Sequence, residues 1–281
     1  MSIEHDLLTH HDREILGPES LIYPVISRRV GGVSVGINTC PHDPCSLHCL
    51  YCEAQARQTG RQIKPYNVEL ADRQLRDFLQ KCSDGRYLGQ PIKAITLSGD
   101  AEPTHMRGDT FSHIIKAAVN AKREFGLDQA KLVVISNALG FGRKEVIAGL
   151  ETMYEDSLAN EVWAKLDAGS QEYFETVSGS KLPLDRIANN IMTASSVFPM
   201  RIQTCFMNID GFVPDAAEIG AYISRINGIV DGCGQIKSVQ LYTVRRDTPT
   251  ERTTPLTKQQ MDYMSDVIRP NIHAKLDVYW P

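Results

Sequence analysis

Six short apolar runs rich in β-branched residues recur along the chain: 30–38 (VGGVSVGIN), 93–98 (KAITLS), 131–136 (KLVVIS), 161–167 (EVWAKLD), 200–206 (MRIQTCF) and 237–244 (KSVQLYTV). Runs of this length and makeup predict buried parallel strands. Helical spacing fills the gaps near 68–82, 108–125, 142–150, 184–196 and 214–227, and returns near 257–268 after the last run. A strand–helix unit repeated six times predicts an α/β fold with right-handed crossovers. In such folds ligands gather at the carboxyl ends of the strands, so the residues just after each run are where chemistry is expected. No Gly-, Pro- or Ser-rich linker, internal repeat or low-complexity tract interrupts the chain. One domain over 30–281, preceded by an extension at 1–29, is the expected organisation.

Composition narrows the class. With 42% hydrophobic and 23% charged residues the chain can build a packed core, which excludes wholesale disorder. Thirty basic against 34 acidic residues give a net charge of −4, so a broad nucleic-acid-binding face is not favoured. No apolar run approaches the ~20 residues of a membrane span, and MSIEHDLLTHHDREIL is too polar for a signal peptide. A cytoplasmic protein without membrane attachment is expected.

Seven cysteines, an odd count without an export signal, argue against a disulfide framework. Cys40, Cys45, Cys49 and Cys52 fall within 13 residues, whereas Cys82, Cys205 and Cys233 are scattered. A short loop bearing several thiolates suits zinc or an iron–sulfur cluster. Structural zinc usually takes two separated ligand pairs, and this compact trio lacks a second one, although His42 and His48 keep zinc open. Three close cysteines can hold three irons of a [4Fe–4S] cube and leave the fourth for a small molecule.

The segment Cys45-x-x-x-Cys49-x-x-Cys52, with Tyr51 before its last cysteine, resembles the cluster-binding signature of the radical S-adenosylmethionine (SAM) superfamily. The resemblance implies a partial six-stranded parallel (β/α)6 barrel with a [4Fe–4S] cluster whose open iron chelates the amino and carboxylate groups of SAM. Ser98-Gly99-Asp100-Ala101-Glu102-Pro103-Thr104 resembles the Gly-Gly-Glu-Pro motif that meets the SAM amino group. Ala101 stands at the motif's second glycine, which requires its dihedrals to stay ordinary. Read alone, the segment is also a strand-to-helix turn capped by Thr104 or Asp109. Ser136-Asn137-Ala138 is similar to the Ser/Thr-Asn-Gly endings that lie near the nucleoside, and Asn137 also suits an Asx turn.

Lys165 and Asp167, two apart, project to one face of their strand and call for a polar ligand or each other. The resemblance offers them the SAM carboxylate and ribose. Gln203 and Cys205 share one face, with Thr204, Phe206 and Asn208 on the other, and the sequence does not say which faces in. An inward Gln203 would bond SAM or substrate, and an inward Cys205 is a candidate hydrogen-atom donor, although buried inert cysteine is the commoner fate. Tyr242, Arg245 and Arg246 close the last run and suit adenine, a phosphate or solvent. Order and content over 30–255 resemble the radical SAM proteins related to the tRNA wyosine-synthesising enzyme.

The resemblance implies an oxidoreductase-like enzyme fed by an external electron donor of the flavodoxin or ferredoxin type. It would cleave SAM to a 5′-deoxyadenosyl radical that takes hydrogen from a nucleoside, a nucleotide or another small metabolite. A glycyl-radical-enzyme activase, a tRNA base modifier and a non-catalytic zinc or iron–sulfur module stay open as alternatives. Cys40 reads as a bystander. Arg57, Arg61 and Lys64 suit an anion patch or a solvated helix face, and His5, His10 and His11 a polar helix face.

Overall fold

The computed structural model describes residues 20–39, 45–52, 65–83, 91–245 and 248–280. Cys40, His42, Arg57, Arg61, Lys64, Arg246 and the three N-terminal histidines lie outside these residues. The fold is α/β with a mostly parallel eight-stranded sheet. The chain divides into two compact units: Met1–Pro44, Arg61–Ile135 and Lys144–Glu161 form the first, and Cys45–Gly60, Ser136–Arg143 and Val162–Pro281 the second.

In the first unit, β1 (Ile22–Ser27) runs antiparallel to β2 (Gly32–Asn38), and β3 (Ile92–Ser98) and β4 (Lys131–Ser136) follow in parallel. Val35, Ile37, Ile95, Leu97, Leu132 and Val134 share one fully buried apolar face by register. The other face of β2 and β3 is small and polar: the Ser34 and Thr96 hydroxyls bond at 2.7 Å. The Tyr23 ring lies where a side chain on Gly36 would stand, and its hydroxyl meets that of Ser98 at 2.6 Å. Helices α1 (Val68–Ser83), α2 (Thr110–Glu124) and α3 (Lys144–Asp156) add Leu75, Phe78, Phe111, Ile114 and Leu150 to the core. Gly149 of α3 leaves room for the Phe111 ring, so these helices pack closely.

The second unit holds β5 (Glu161–Lys165), β6 (Met200–Cys205), β8 (Ile236–Tyr242) and β10 (Leu276–Tyr279), each parallel to its neighbour in that order. Between them lie α4 (Gln171–Ser178), α5 (Leu184–Ser195), α6 (Ala216–Asp231) and α7 (Lys258–Ile268), and β7 (Asn208–Ile209) pairs antiparallel with β9 (Thr253–Thr254). Register sorts the faces. Ala164, Ile202, Val239 and Leu241 point to the side where Tyr222 of α6 meets Thr204, hydroxyl to hydroxyl at 2.5 Å. The opposite face carries Lys165, Gln203 and Gln240 in one row and Arg201, Ser238 and Lys275 near the row below.

The six predicted strands are present within two residues of their expected ends, β5 stopping at Lys165 and β8 at Tyr242. Two further strands join the sheet. Residues 22–27, assigned by sequence to the extension, are β1, and the C-terminal 276–279 is β10. Pro24 obscures β1: it removes a backbone donor, which an edge strand tolerates. Helix α4 was also missed, although Ser170 caps its start and Gly179, at φ 60°, its end. Among the described residues no helix is long and apolar enough to cross a membrane.

Candidate functional site

In the first unit, β2 and β3 end side by side on a reciprocal pair: Asn38 Nδ2 donates to Asp100 Oδ2 at 3.0 Å, and the Asp100 amide donates to Asn38 Oδ1 at 2.9 Å. Gly99, at φ 154°, has no room for a side chain, since a Cβ would strike Asn38 Oδ1 and the Thr39 amide. Ala101 does not take a positive φ, so the departure from the motif's second glycine costs no strain here. Glu102, buried, accepts from the Thr104 amide at 3.0 Å and its hydroxyl at 2.6 Å, capping the 3-10 turn Pro103–His105. Neither expected cap acts so: Asp109 precedes α2 without a side-chain cap bond, and Thr104 is itself capped.

In the second unit the cysteine loop is held by its backbone. His48 and Leu50 donate amides to Ser178 and Val177 carbonyls at the end of α4, at 2.7 and 2.9 Å. Those carbonyls lack partners within the helix, so the loop satisfies them. Asn137 Nδ2 donates to the Ser46 hydroxyl at 3.0 Å, and its Oδ1 accepts from the Leu139 amide at 3.1 Å. The Asx turn and the tie to the cysteine loop therefore coexist. Ala138, the counterpart of the motif glycine, is left-handed at φ 64°.

Lys165 and Asp167 meet at 2.9 Å, with 14% and 11% of their side chains exposed. The Lys165 ammonium also donates to the Tyr242 hydroxyl at 2.6 Å and lies 5.2 Å from the Tyr51 ring centroid and 4.8 Å from that of Tyr242. Asp167 accepts from the Tyr51 hydroxyl at 2.5 Å and the Cys205 amide at 2.7 Å. Tyr51 of the cysteine loop is thereby fastened to the segment just past β5. Burial pulls the Lys165 ammonium down, but Asp167 and Tyr242 outweigh it and hold it above its ordinary range. Burial, then Asp167, Cys52 and Cys45, push the Cys49 thiol well up, with Lys165 opposing.

Gln203 takes the Lys165 face and donates to Gln240 Oε1 at 3.0 Å. The Cys205 side chain is buried with Val177, Met207, Ile209 and Val244; Tyr51 and Tyr242 pack against this cluster, and Cys205 acts electrostatically on Lys165. Arg245 is exposed. Sequence reasoning missed Ser46, Gln240 and Glu218, whose parts depend on register and on loops far apart in the chain.

The thiols test which group would fit. Cys45 and Cys52 both act electrostatically on Cys49, so the three are near one another. Yet among the described residues no three His, Cys, Asp or Glu side chains converge on a single ion. Three thiols near one another are a soft donor set that suits an iron–sulfur cube or zinc.

Comparison with known proteins agrees on the fold. TYW1 with a lysine–pyruvate adduct bound matches at TM-score 0.60 and 13% identity, over 96% of this chain and 92% of that one. SuiB of Streptococcus suis bound to SAM matches at TM-score 0.55 and 15% identity, over 87% of this chain and 50% of SuiB. Archaeal TYW1 matches at TM-score 0.50 and 14% identity, over 86% of this chain and 73% of that one. The chain shares its fold with TYW1 and SuiB. A curated relative, GTPase Obg of Brachyspira hyodysenteriae, is 23% identical over 91% of this chain, which spans 34% of that protein. The sequence contains no G-x-x-x-x-G-K-[ST], so the phosphate loop of many GTPases is not written in it. No family model matches.

Proposed function

We propose that this protein is a radical SAM enzyme acting on a small polar substrate. When bound, the cluster and SAM would supply one-electron cleavage of a carbon–sulfur bond and, with it, hydrogen abstraction from the substrate. The observation that carries the reading is the 2.5 Å bond from Tyr51, inside the cysteine signature, to Asp167, which also pairs with Lys165. Two segments distant in sequence meet there, in a chain that shares the fold of TYW1 and SuiB.

Cys45, Cys49 and Cys52 would hold three irons. Gly99, Asp100, Ala101 and Glu102 take the amino-group role, Asn137 the nucleoside, and Lys165 and Asp167 the carboxylate and ribose. The Tyr51 and Tyr242 rings fix the Lys165 ammonium, and Gln203 with Gln240 lines the same polar face toward substrate. Strands β2 to β6 and β8 read as the six strands of a partial (β/α)6 barrel. A flavodoxin- or ferredoxin-type donor would supply the electron in the cytoplasm. Although the TYW1 structure contains a lysine–pyruvate adduct, Lys165 is poorly suited to capture a carbonyl: Asp167 keeps it charged, and imine formation needs a neutral amine.

Anaerobic reconstitution with iron and sulfide, followed by dithionite and SAM, tests the reading. The loaded protein should be brown and release 5′-deoxyadenosine. Cys49→Ala should lose both properties and Cys82→Ala keep both. Loaded protein that yields no 5′-deoxyadenosine refutes the assignment.

A further inference from the structure

Asp215 and Glu218 stand at the start of α6 in the spacing of a capping box, and Asp215 Oδ1 does accept from the Glu218 amide at 2.8 Å. In a capping box the second carboxylate turns back to the amide of the cap residue. Glu218 instead leaves its own helix. Its Oε1 accepts from the Gly169 amide at 2.5 Å, and its Oε2 from the Ser170 amide at 3.0 Å and the Ser170 hydroxyl at 2.5 Å. Two other residues of the same helix face grip this turn. Arg225 Nε donates to the Gly169 carbonyl at 2.8 Å, and the Tyr222 backbone fills the space a side chain on Gly169 would need. Glu218 is 6% exposed, and a carboxylate so placed is costly unless hydrogen-bonded, so the three bonds it accepts from Gly169 and Ser170 are what hold it there.

What the turn holds lies on both sides of it. Two residues upstream, Asp167 carries Tyr51, Lys165 and the Cys205 amide. Downstream, Ser170 caps α4, an eight-residue helix whose last carbonyls receive the His48 and Leu50 amides. Cys49 lies between those two residues. One carboxylate thus reaches the cysteine loop by two routes.

We propose that Glu218 is a positioning residue: by clamping Gly169 and Ser170 it sets the cysteine loop and Asp167 relative to each other. The geometric part stands alone, whereas its importance for SAM cleavage rests on the function proposed above.

The test compares Glu218→Ala and Glu218→Gln with Asp215→Ala, which removes the cap of the same helix without touching the turn. In the metal-free protein, Glu218→Ala should speed amide exchange at His48 and Leu50 by about tenfold or more, the scale of losing bonds to a buried charged group. Alkylation of Cys49 should accelerate relative to Cys82. Glu218→Gln, which keeps an acceptor for Gly169, should show a smaller effect, and Asp215→Ala no selective one. After reconstitution, only the Glu218 variants should alter the change that SAM produces in the electron paramagnetic resonance signal of the reduced cluster. Equal exchange in the Glu218 and Asp215 variants, or parental rates at His48 and Leu50 in Glu218→Ala, overturns the proposal. Should Glu218→Ala not fold, Glu218→Gln against Asp215→Ala decides by the same readouts. A parent protein that takes up no cluster defeats the radical reading and leaves the exchange result to judge Glu218 by itself.

Discussion

Two buried Lys–Asp pairs, one in each unit, show how a structural ion pair differs from one built into a site. Lys122 of α2 and Asp156 of α3 meet at 2.6 Å with 3% and 4% of their side chains exposed. Asp156 also accepts from Arg123 at 2.8 Å and Asn160 at 3.3 Å, both within the local helix packing. Lys165 and Asp167 are slightly more open, and their other bonds run outward, to the cysteine loop through Tyr51 and to β8 through Tyr242. The first pair closes a helix seam, whereas the second joins three segments that are far apart in sequence. Polarity and burial alone do not separate them; what else each member holds does.

Breaking the seam should have the largest effect. Asp156→Asn leaves Lys122 buried without its counter-charge and should cost about 3–5 kcal/mol in urea unfolding, with SAM affinity unchanged once folded. The loss has a pH signature. Burial alone would push the Asp156 carboxyl up, but bonds from Lys122, Asn160 and Arg123 outweigh it and hold it below its ordinary range. A carboxyl held low contributes stability that is complete above its unfolded value of about 3.9 and is lost as pH falls through the folded one. The parent should therefore lose stability more steeply below pH of about 4 than Asp156→Asn does. Matching acid limbs would place the pair's strength elsewhere.

Asp167→Asn comes next and should act on function. The amide retains an acceptor for the Cys205 amide or Tyr51 but no longer balances Lys165, so under the proposed function SAM cleavage should drop about 10–100-fold, the range for residues that orient a metal site. Cluster content should change less than turnover. If cleavage is untouched while stability falls as far as in Asp156→Asn, the two pairs are alike and the comparison fails.

Much of this contrast was written in the chain. Strands β2 to β6 and β8 were legible because parallel strands buried on both faces make near-continuous apolar runs, and Lys165 and Asp167 could be put on one face by alternation alone. The segments after β3 and β4 were legible as strand ends carrying polar side chains, Asp100 and Asn137 among them. Edge strands were not: β1 carries Pro24 and β10 has four residues. Nor could local pattern assign Glu218, since Asp215-x-x-Glu218 reads as an ordinary cap and only tertiary structure sends its carboxylate to Gly169. Gln240 was hidden likewise, because its partner Gln203 is set by strand register.

The smallest expected effect separates two alanines, Ala101 after β3 and Ala138 after β4. Ala101 keeps ordinary dihedrals, so Ala101→Gly only adds freedom to the unfolded chain and should cost about 0.5–1 kcal/mol. Ala138 is left-handed at φ 64° and fully buried, a conformation that costs a residue with a side chain about 1–2 kcal/mol. Relief of that strain offsets the lost methyl contact and the added freedom, so Ala138→Gly should be neutral or slightly stabilising in the same urea assay. The strain lies next to Asn137, whose amide holds Ser46 of the cysteine loop. A gain in stability with a poorer response to SAM would mean that Ala138 stiffens the turn that presents Asn137, whereas a clear loss of stability would show that its buried methyl outweighs the strain.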